Sequence, residues 1–265
     1  MTEHYEVLAI RYGTRETTKS EVFLNYHLYG EPDQPLRMDY FFWVARSPAR
    51  TVVIDSGFSR AAATARDRTM LAEVGPALAA AGVTSEQVGQ VVLTHAHYDH
   101  TGGLPAFGAA EVLMTADEYG FWTGPMGARG QFGGLAEAAD IGHLRELRAG
   151  GRLTLTGRSH QVAPGIELTQ VGGHTAGLAI VTVATAAGPV ILASDAAHYY
   201  SELELDRPFV AVADLAGMYA AFDQVRELAA EPGALLVAGH DPLVAERFPT
   251  RAGSPDVIRI SENDE

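Results

Sequence analysis

The sequence predicts an α/β fold, a pattern that two β-sheets packed face to face with helices on the outside would accommodate. Two observations carry this. Short apolar segments with β-branched residues alternate with stretches of helical periodicity, in the rhythm strands, helix, then strands and helix again. Clustered His and Asp residues begin where apolar segments end, which is where open α/β sheets bind ligands. No linker and no short-period repeat interrupts the 265 residues, so 1–265 is expected to be a single domain.

The elements follow in order. Residues 5–11 and 39–45 have strand character, 46–50 reads as a turn, and 51–55 is a short buried strand. Residues 70–82 predict a helix with Leu71, Val74, Leu78 and Ala81 on one face and Gly82 as its C-cap. Residues 88–94 form a strand, 111–114 another, and 116–122 a short helix. Five glycines and a proline within 123–134 predict a mobile loop. A helix at 135–148 follows, so that a lid or loop insertion is expected around 119–150. Strands are expected at 152–156, 166–170, 178–184 and 189–193, a helix at 214–230, and a strand at 234–238. The residues after Ile260 read as a solvated tail.

Composition narrows the function. The net charge is −14, and no Lys/Arg-rich run offsets it. Such a surface repels nucleic acid. With no cysteine, disulfides, thiolate nucleophiles and Cys-ligated zinc are excluded, and any metal must use His and carboxylate. The N-terminus lacks the basic start and apolar core of a signal peptide. The uncharged stretch from Thr175 to Ser194 has the length of a membrane helix. However, Ala186-Ala187-Gly188-Pro189 breaks it and Ile180-Val181-Thr182-Val183 is β-rich, so two buried strands joined by a turn are expected. The expectation is a soluble, cytoplasmic chain acting on a small molecule, with neither a membrane nor nucleic acid as partner.

The chemistry concentrates in His95-Ala96-His97-Tyr98-Asp99-His100-Thr101-Gly102-Gly103. A lone histidine is ordinarily a core or surface residue. Three histidines and an aspartate in six positions at a strand end are costly unless a divalent metal compensates them. His95 and His97 alternate and project to one side of an extended segment. Asp99 and His100 come after the turn and are free to face a second ion. His174, Asp195 and His240 each stand at the end of an apolar segment, His174 and His240 with glycine just before.

His-x-His-x-Asp-His followed by His174, Asp195 and His240 resembles the metallo-β-lactamase superfamily, and within it the N-acyl homoserine lactonase branch. The resemblance implies a four-layer αββα sandwich with the site at one edge between the sheets. It implies one metal on His95, His97 and His174, a second on Asp99, His100 and His240, and Asp195 bridging them. Two divalent ions are expected, zinc first, with iron, manganese or cobalt as alternatives. Asp55, in Ile54-Asp55-Ser56-Gly57, matches the family's strand-end Asp that orients ligand imidazoles. A homodimer is an expectation of the same kind.

The reaction expected is opening of a lactone or small ester, of the N-acyl homoserine lactone type, by metal-activated water. The candidate catalytic residues are Asp99, His198 and Tyr199. Asp99 is a candidate proton shuttle to the leaving oxygen. His198 stands three residues after Asp195, where such lactonases carry a Tyr; a neutral His198 donating to the substrate carbonyl is expected, with Tyr199 beside it. Tyr26, Phe121, Trp122, Met126 and Phe132 are candidates to line an apolar pocket. His4, His27, His143 and His160 read as ordinary residues. The alternatives are another hydrolase of the same fold, acting on an aryl ester, thioester or β-lactam, and an iron-dependent oxidoreductase. Flavodiiron relatives carry Glu where this chain has His97.

Overall fold

A computed structural model describes residues 3–261. Along the chain run β1 (Glu6–Thr18), α1 (Lys19–Val22), β2 (Pro35–Arg46), β3 (Thr51–Ile54), α2 (Arg60–Ala65), β4 (Thr69–Met70), α3 (Val74–Ala80), β5 (Gln90–Val92), α4 (Tyr98–Thr101), β6 (Glu111–Thr115), α5 (Ala116–Thr123), α6 (Ala138–Ala149) and β7 (Leu153–Thr156). The second half adds β8 (Ser159–Ala163), β9 (Ile166–Gln170), β10 (Ala179–Thr185), β11 (Gly188–Ser194), α7 (Tyr200–Leu205), α8 (Leu215–Ala229), β12 (Leu235–Ala238), α9 (Val244–Arg247), β13 (Thr250–Arg251) and β14 (Ser254–Ser261).

Among the described residues these strands make a nine-stranded sheet, ordered β13-β14-β1-β2-β3-β5-β6-β7 with β4 on β1, and a five-stranded sheet, ordered β12-β11-β10-β9-β8. The alternation of β2 explains how they stack. Tyr40, Phe42 and Val44 point into a core shared with Leu78 of α3 and Leu144 of α6. Phe41, Trp43 and Ala45 point the other way, into a core shared with Val181 of β10 and Leu192 of β11. Each such side chain contributes roughly 1.5–3 kcal/mol on burial. Ile180 and Ile191 face outward onto Met218, Phe222 and Val225 of α8. The layers are therefore helix, sheet, sheet, helix, as the αββα expectation requires.

Several elements differ from the sequence reading. The helix expected at 70–82 begins at Val74, because Thr69 and Met70 pair with Thr14 and Gly13 of β1 and Leu71 is exposed. Gly82 does take a left-handed conformation just past that helix, with φ +75°. Strands β8, β13 and β14 were not read from sequence. Ser261, placed in the tail, ends β14 and its Oγ accepts from Val7 N at 3.2 Å; residues 262–265 of that tail lie outside the described residues. The stretch 124–137 between α5 and α6 has turns without helix or strand. Among the described residues no helix is long and apolar enough to cross a membrane.

Candidate metal centre

Parallel pairing of β5 between β3 and β6 brings the ends of β3 and β5 side by side. Asp55, just past β3, adopts φ 61°, a left-handed conformation that Asp tolerates. Its Oδ1 accepts from Thr94 N at 2.8 Å; its Oδ2 accepts from Thr94 Oγ1 at 2.8 Å and meets His100 Nδ1 at 2.8 Å. The chain then runs through His95 and His97 and turns at α4, which carries Asp99 and His100 to a different side. The second sheet supplies the rest. His174 lies between β9 and β10, Asp195 follows β11, and His240 follows β12. Gly173, with φ +87°, lets the His174 loop pass Met218, whose Cα a methyl group there would meet at 2.5 Å.

The ligating atoms gather in two groups, His95, His97, His174 and Asp195 in one and Asp99, His100 and His240 in the other, each within 4.8 Å and all buried. Asp195 faces both. Its Oδ2 lies 3.5 Å from His95 Nε2 and 3.2 Å from His174 Nε2. Its Oδ1 lies 3.3 Å from His100 Nε2 and 3.1 Å from His240 Nε2.

The outer ring nitrogens are anchored, which fixes the inner ones. His100 Nδ1 is held by Asp55, His240 Nδ1 donates to the Asp39 carbonyl at 2.9 Å, and His95 Nδ1 lies 3.1 Å from Thr94 Oγ1. The buried Nε2 atoms of His95 and His100 have no hydrogen-bond partner. Burial, then the neighbouring imidazoles, hold His95 and His97 well below the ordinary histidine range, so both are neutral with a lone pair to offer. Burial also disfavours the charged form of His100, but Asp195, Asp55 and Asp99 outweigh it and push that ring well up. Five imidazoles, two carboxylates and orphaned inward nitrogens are a donor set for divalent cations, and these residues fit a pair of them.

The candidate catalytic residues fare differently. Asp99 lines the cavity at the cluster, with Oδ1 3.8 Å from His100 Nε2 and Oδ2 3.8 Å from His240 Nε2. His198 Nε2 lies 3.0 Å from Asp195 Oδ2, its Nδ1 lies 3.3 Å from Glu202 Oε1, and its ring stacks on Phe209 at 3.7 Å. Burial opposes its charge, yet Asp195 and Glu202 push its pKa up to about 10. Tyr199 is not brought to the cluster: its hydroxyl donates to the Arg37 carbonyl at 3.1 Å and its ring packs near Phe23. Consecutive residues at the start of α7 point in different directions.

The cavity at the cluster holds about 170 Å³ and is walled by Arg15, Met38, Tyr40, Arg68, Tyr98 and Phe209. A larger cleft of about 630 Å³ is lined by Phe121, Met126 and Phe132 together with Gly173 and Thr175, the neighbours of His174. The apolar residues picked out from sequence therefore surround a cleft that shares no lining residue with the cluster cavity. Trp122 is nearer, with its ring 5.4 Å from that of His97, whereas Tyr26 packs among Phe23 and Tyr29. His4, His27, His143 and His160 take no part in either ligand group. Sequence reading missed Glu118, Glu202 and the Asp39 carbonyl. Of these only Glu202 left a legible signal, as a carboxylate four residues after His198.

Two face-to-face sheets with flanking helices and a buried His/Asp cluster at their common edge define an α/β sandwich with a candidate metal site. The family model described as the metallo-beta-lactamase superfamily matches residues 39–240, and the chain belongs to that superfamily. An N-acyl homoserine lactonase from Bacillus sp. is 25% identical over 164 residues, covering 60% of this chain and 58% of that relative. The matched part thus spans under two thirds of the relative's length. Among solved structures, an N-acyl homoserine lactone hydrolase with N-hexanoyl-L-homoserine at its catalytic metal centre superposes with TM-score 0.77 at 19% identity, covering 93% of this chain and 97% of that one. AidC, a dizinc quorum-quenching lactonase in complex with a product, superposes with TM-score 0.73 at 17% identity, covering 100% and 97%. At these identities the superpositions establish the shared fold.

Proposed function

We propose that this chain is a dinuclear metal-dependent hydrolase that opens a lactone or small ester, of the N-acyl homoserine lactone type. The observation that carries the reading is the division of Asp195, one oxygen toward His95 and His174 and the other toward His100 and His240. In this reading His95, His97 and His174 hold one cation, Asp99, His100 and His240 the other, and Asp195 spans both. Zinc suits the imidazole-rich set, and the dizinc centre of AidC supports that choice. When bound, the cations supply Lewis acidity and a water acidified to a pKa of about 7.

The chain's own residues do the rest. Met38, Tyr40 and Tyr98, buried in the cavity wall, reduce the water around the reacting groups and so strengthen charge interactions there. His198, held between Asp195 and Glu202, donates toward the substrate carbonyl oxygen. In this reading Asp99, at the cavity wall, takes up the proton given up by the attacking water and passes it to the leaving oxygen. The 119–150 insertion acts as a lid over this edge. Supporting that role, Tyr98 N donates to the Leu135 carbonyl at 2.9 Å, which ties the segment to the ligand loop. A cytoplasmic, homodimeric protein remains part of the proposal.

A hydrolysis screen with metal-reconstituted protein tests it, covering acyl homoserine lactones, simple γ- and δ-lactones, aryl esters and a cephalosporin. Lactone turnover that His97→Ala abolishes is the expected result. Strong cephalosporin cleavage without lactone turnover would replace the lactonase reading by a β-lactamase one.

A further inference from the structure

The Glu118 side chain, in the first turn of α5, is fully buried. Its Oε1 accepts from Ala96 N at 2.9 Å and from Trp122 Nε1 at 2.7 Å. Its Oε2 accepts from Thr175 Oγ1 at 2.7 Å and from Gly177 N at 2.9 Å. Ala96 lies between His95 and His97, and Thr175 follows His174. One carboxylate therefore ties together the two loops that carry these three imidazoles, one loop from each sheet. Trp122, held by the same oxygen as Ala96, lays its ring against His97.

The chemistry of the bonds fixes the charge. Ala96 N–H, Gly177 N–H and Trp122 Nε1–H are donors only, and at least one faces each oxygen, so the ionised form is the one that matches them. Burial disfavours that form and raises the carboxyl above its ordinary range, while the four hydrogen bonds pull it back toward the ionised form. Among the described residues no Lys, Arg or His lies in ion-pair range of Glu118. A buried anion without a counter-charge is costly. A cation on His95, His97 and His174 places the missing positive charge on the neighbouring loops.

We propose that Glu118 is a positioning residue: it locks the His95–His97 and His174 loops into one geometry and lends its negative charge to the cation they hold. This rests on the reading that the cluster binds cations.

The test uses chelator-stripped full-length chain titrated with Zn²⁺ alone against a competing chelator, and needs no substrate. Glu118→Gln preserves size but turns an amide NH₂ toward groups that themselves donate. The expected result is a folded variant that binds one ion as tightly as wild type and the second about 10–100-fold more weakly. His240→Ala, which cripples the other site, identifies which ion is weakened: combined with Glu118→Gln it should bind its remaining ion about 10–100-fold more weakly than His240→Ala alone does. Two ions at wild-type affinity in Glu118→Gln, whatever the loss in Tm, would leave Glu118 a core residue and overturn the inference. Should that variant not fold, Thr175→Val removes one of the four bonds. A several-fold weakening confined to one ion supports the inference, and two unchanged affinities overturn it. Wild type that takes up no Zn²⁺ overturns the metal reading, and this inference with it; wild type with two ions and unaffected variants overturns this inference alone.

Discussion

Asp55 Oδ2 and His100 Nδ1 meet at 2.8 Å with both side chains fully buried. The contact places the ring proton on Nδ1 and leaves Nε2 free toward Asp195. The same carboxylate holds Thr94, so β3 and the ligand loop are fixed by one residue. Asp55→Ala is expected to weaken binding of one Zn²⁺ by about 10–100-fold, read by chelator competition. Undiminished affinity would reduce Asp55 to a turn residue.

His198 is stacked on Phe209 and touches the carboxylate that faces both ligand groups. Phe has the planar shape to keep the stack but has no donor. His198→Phe is expected to keep two metal ions per chain while lowering kcat by roughly 10²-fold, the scale of losing one transition-state donor. Steady-state kinetics beside metal analysis separates the two effects. A variant with wild-type kcat would strike His198 from the catalytic residues.

Asp140, on α6, gives a pH signature. Burial, and secondarily Glu137, raise its pKa to about 6, against the hydrogen bond from Thr101. The folded chain then holds a proton that the unfolded chain, near 3.8, has released. Between these values folding binds protons, so the stability is full at low pH and is lost as pH rises through about 6. The effect is on the order of 1–2 kcal/mol after allowance for partial exposure. Asp140→Asn should therefore gain roughly 2–8 °C in Tm on wild type between pH 4.5 and pH 7.5. Parallel Tm curves for the two proteins would contradict this.

Much of the site was legible because its pieces are local. His95, His97, Asp99 and His100 sit in six consecutive positions, Asp195 and His240 follow the apolar strands β11 and β12, and His174 stands in the loop after β9. What escaped depends on pairing across distance. β14 opens Ser-Pro-Asp and looks interrupted, but its proline lies near the start of the strand, where the lost donor is tolerated, and Val257, Ile258 and Arg259 pair with β1 some 250 residues away. Met70 and Leu71 fit a helical stripe equally well until β1 claims them. Glu118 carries no local mark, since its partners Ala96 and Gly177 are 22 and 59 residues off. Tyr199 shows the reverse error: adjacency to His198 along the chain says nothing of where a hydroxyl ends up.

The two ligand loops that meet at Asp195 spring from opposite layers of the sandwich. Bound ions would consequently act as rivets through the seam, adding their binding energy to the cohesion of the whole molecule. Stripping them should loosen the ligand-bearing rim of the sandwich first, leaving the apolar core that Val7 and Val183 share to hold the layers together.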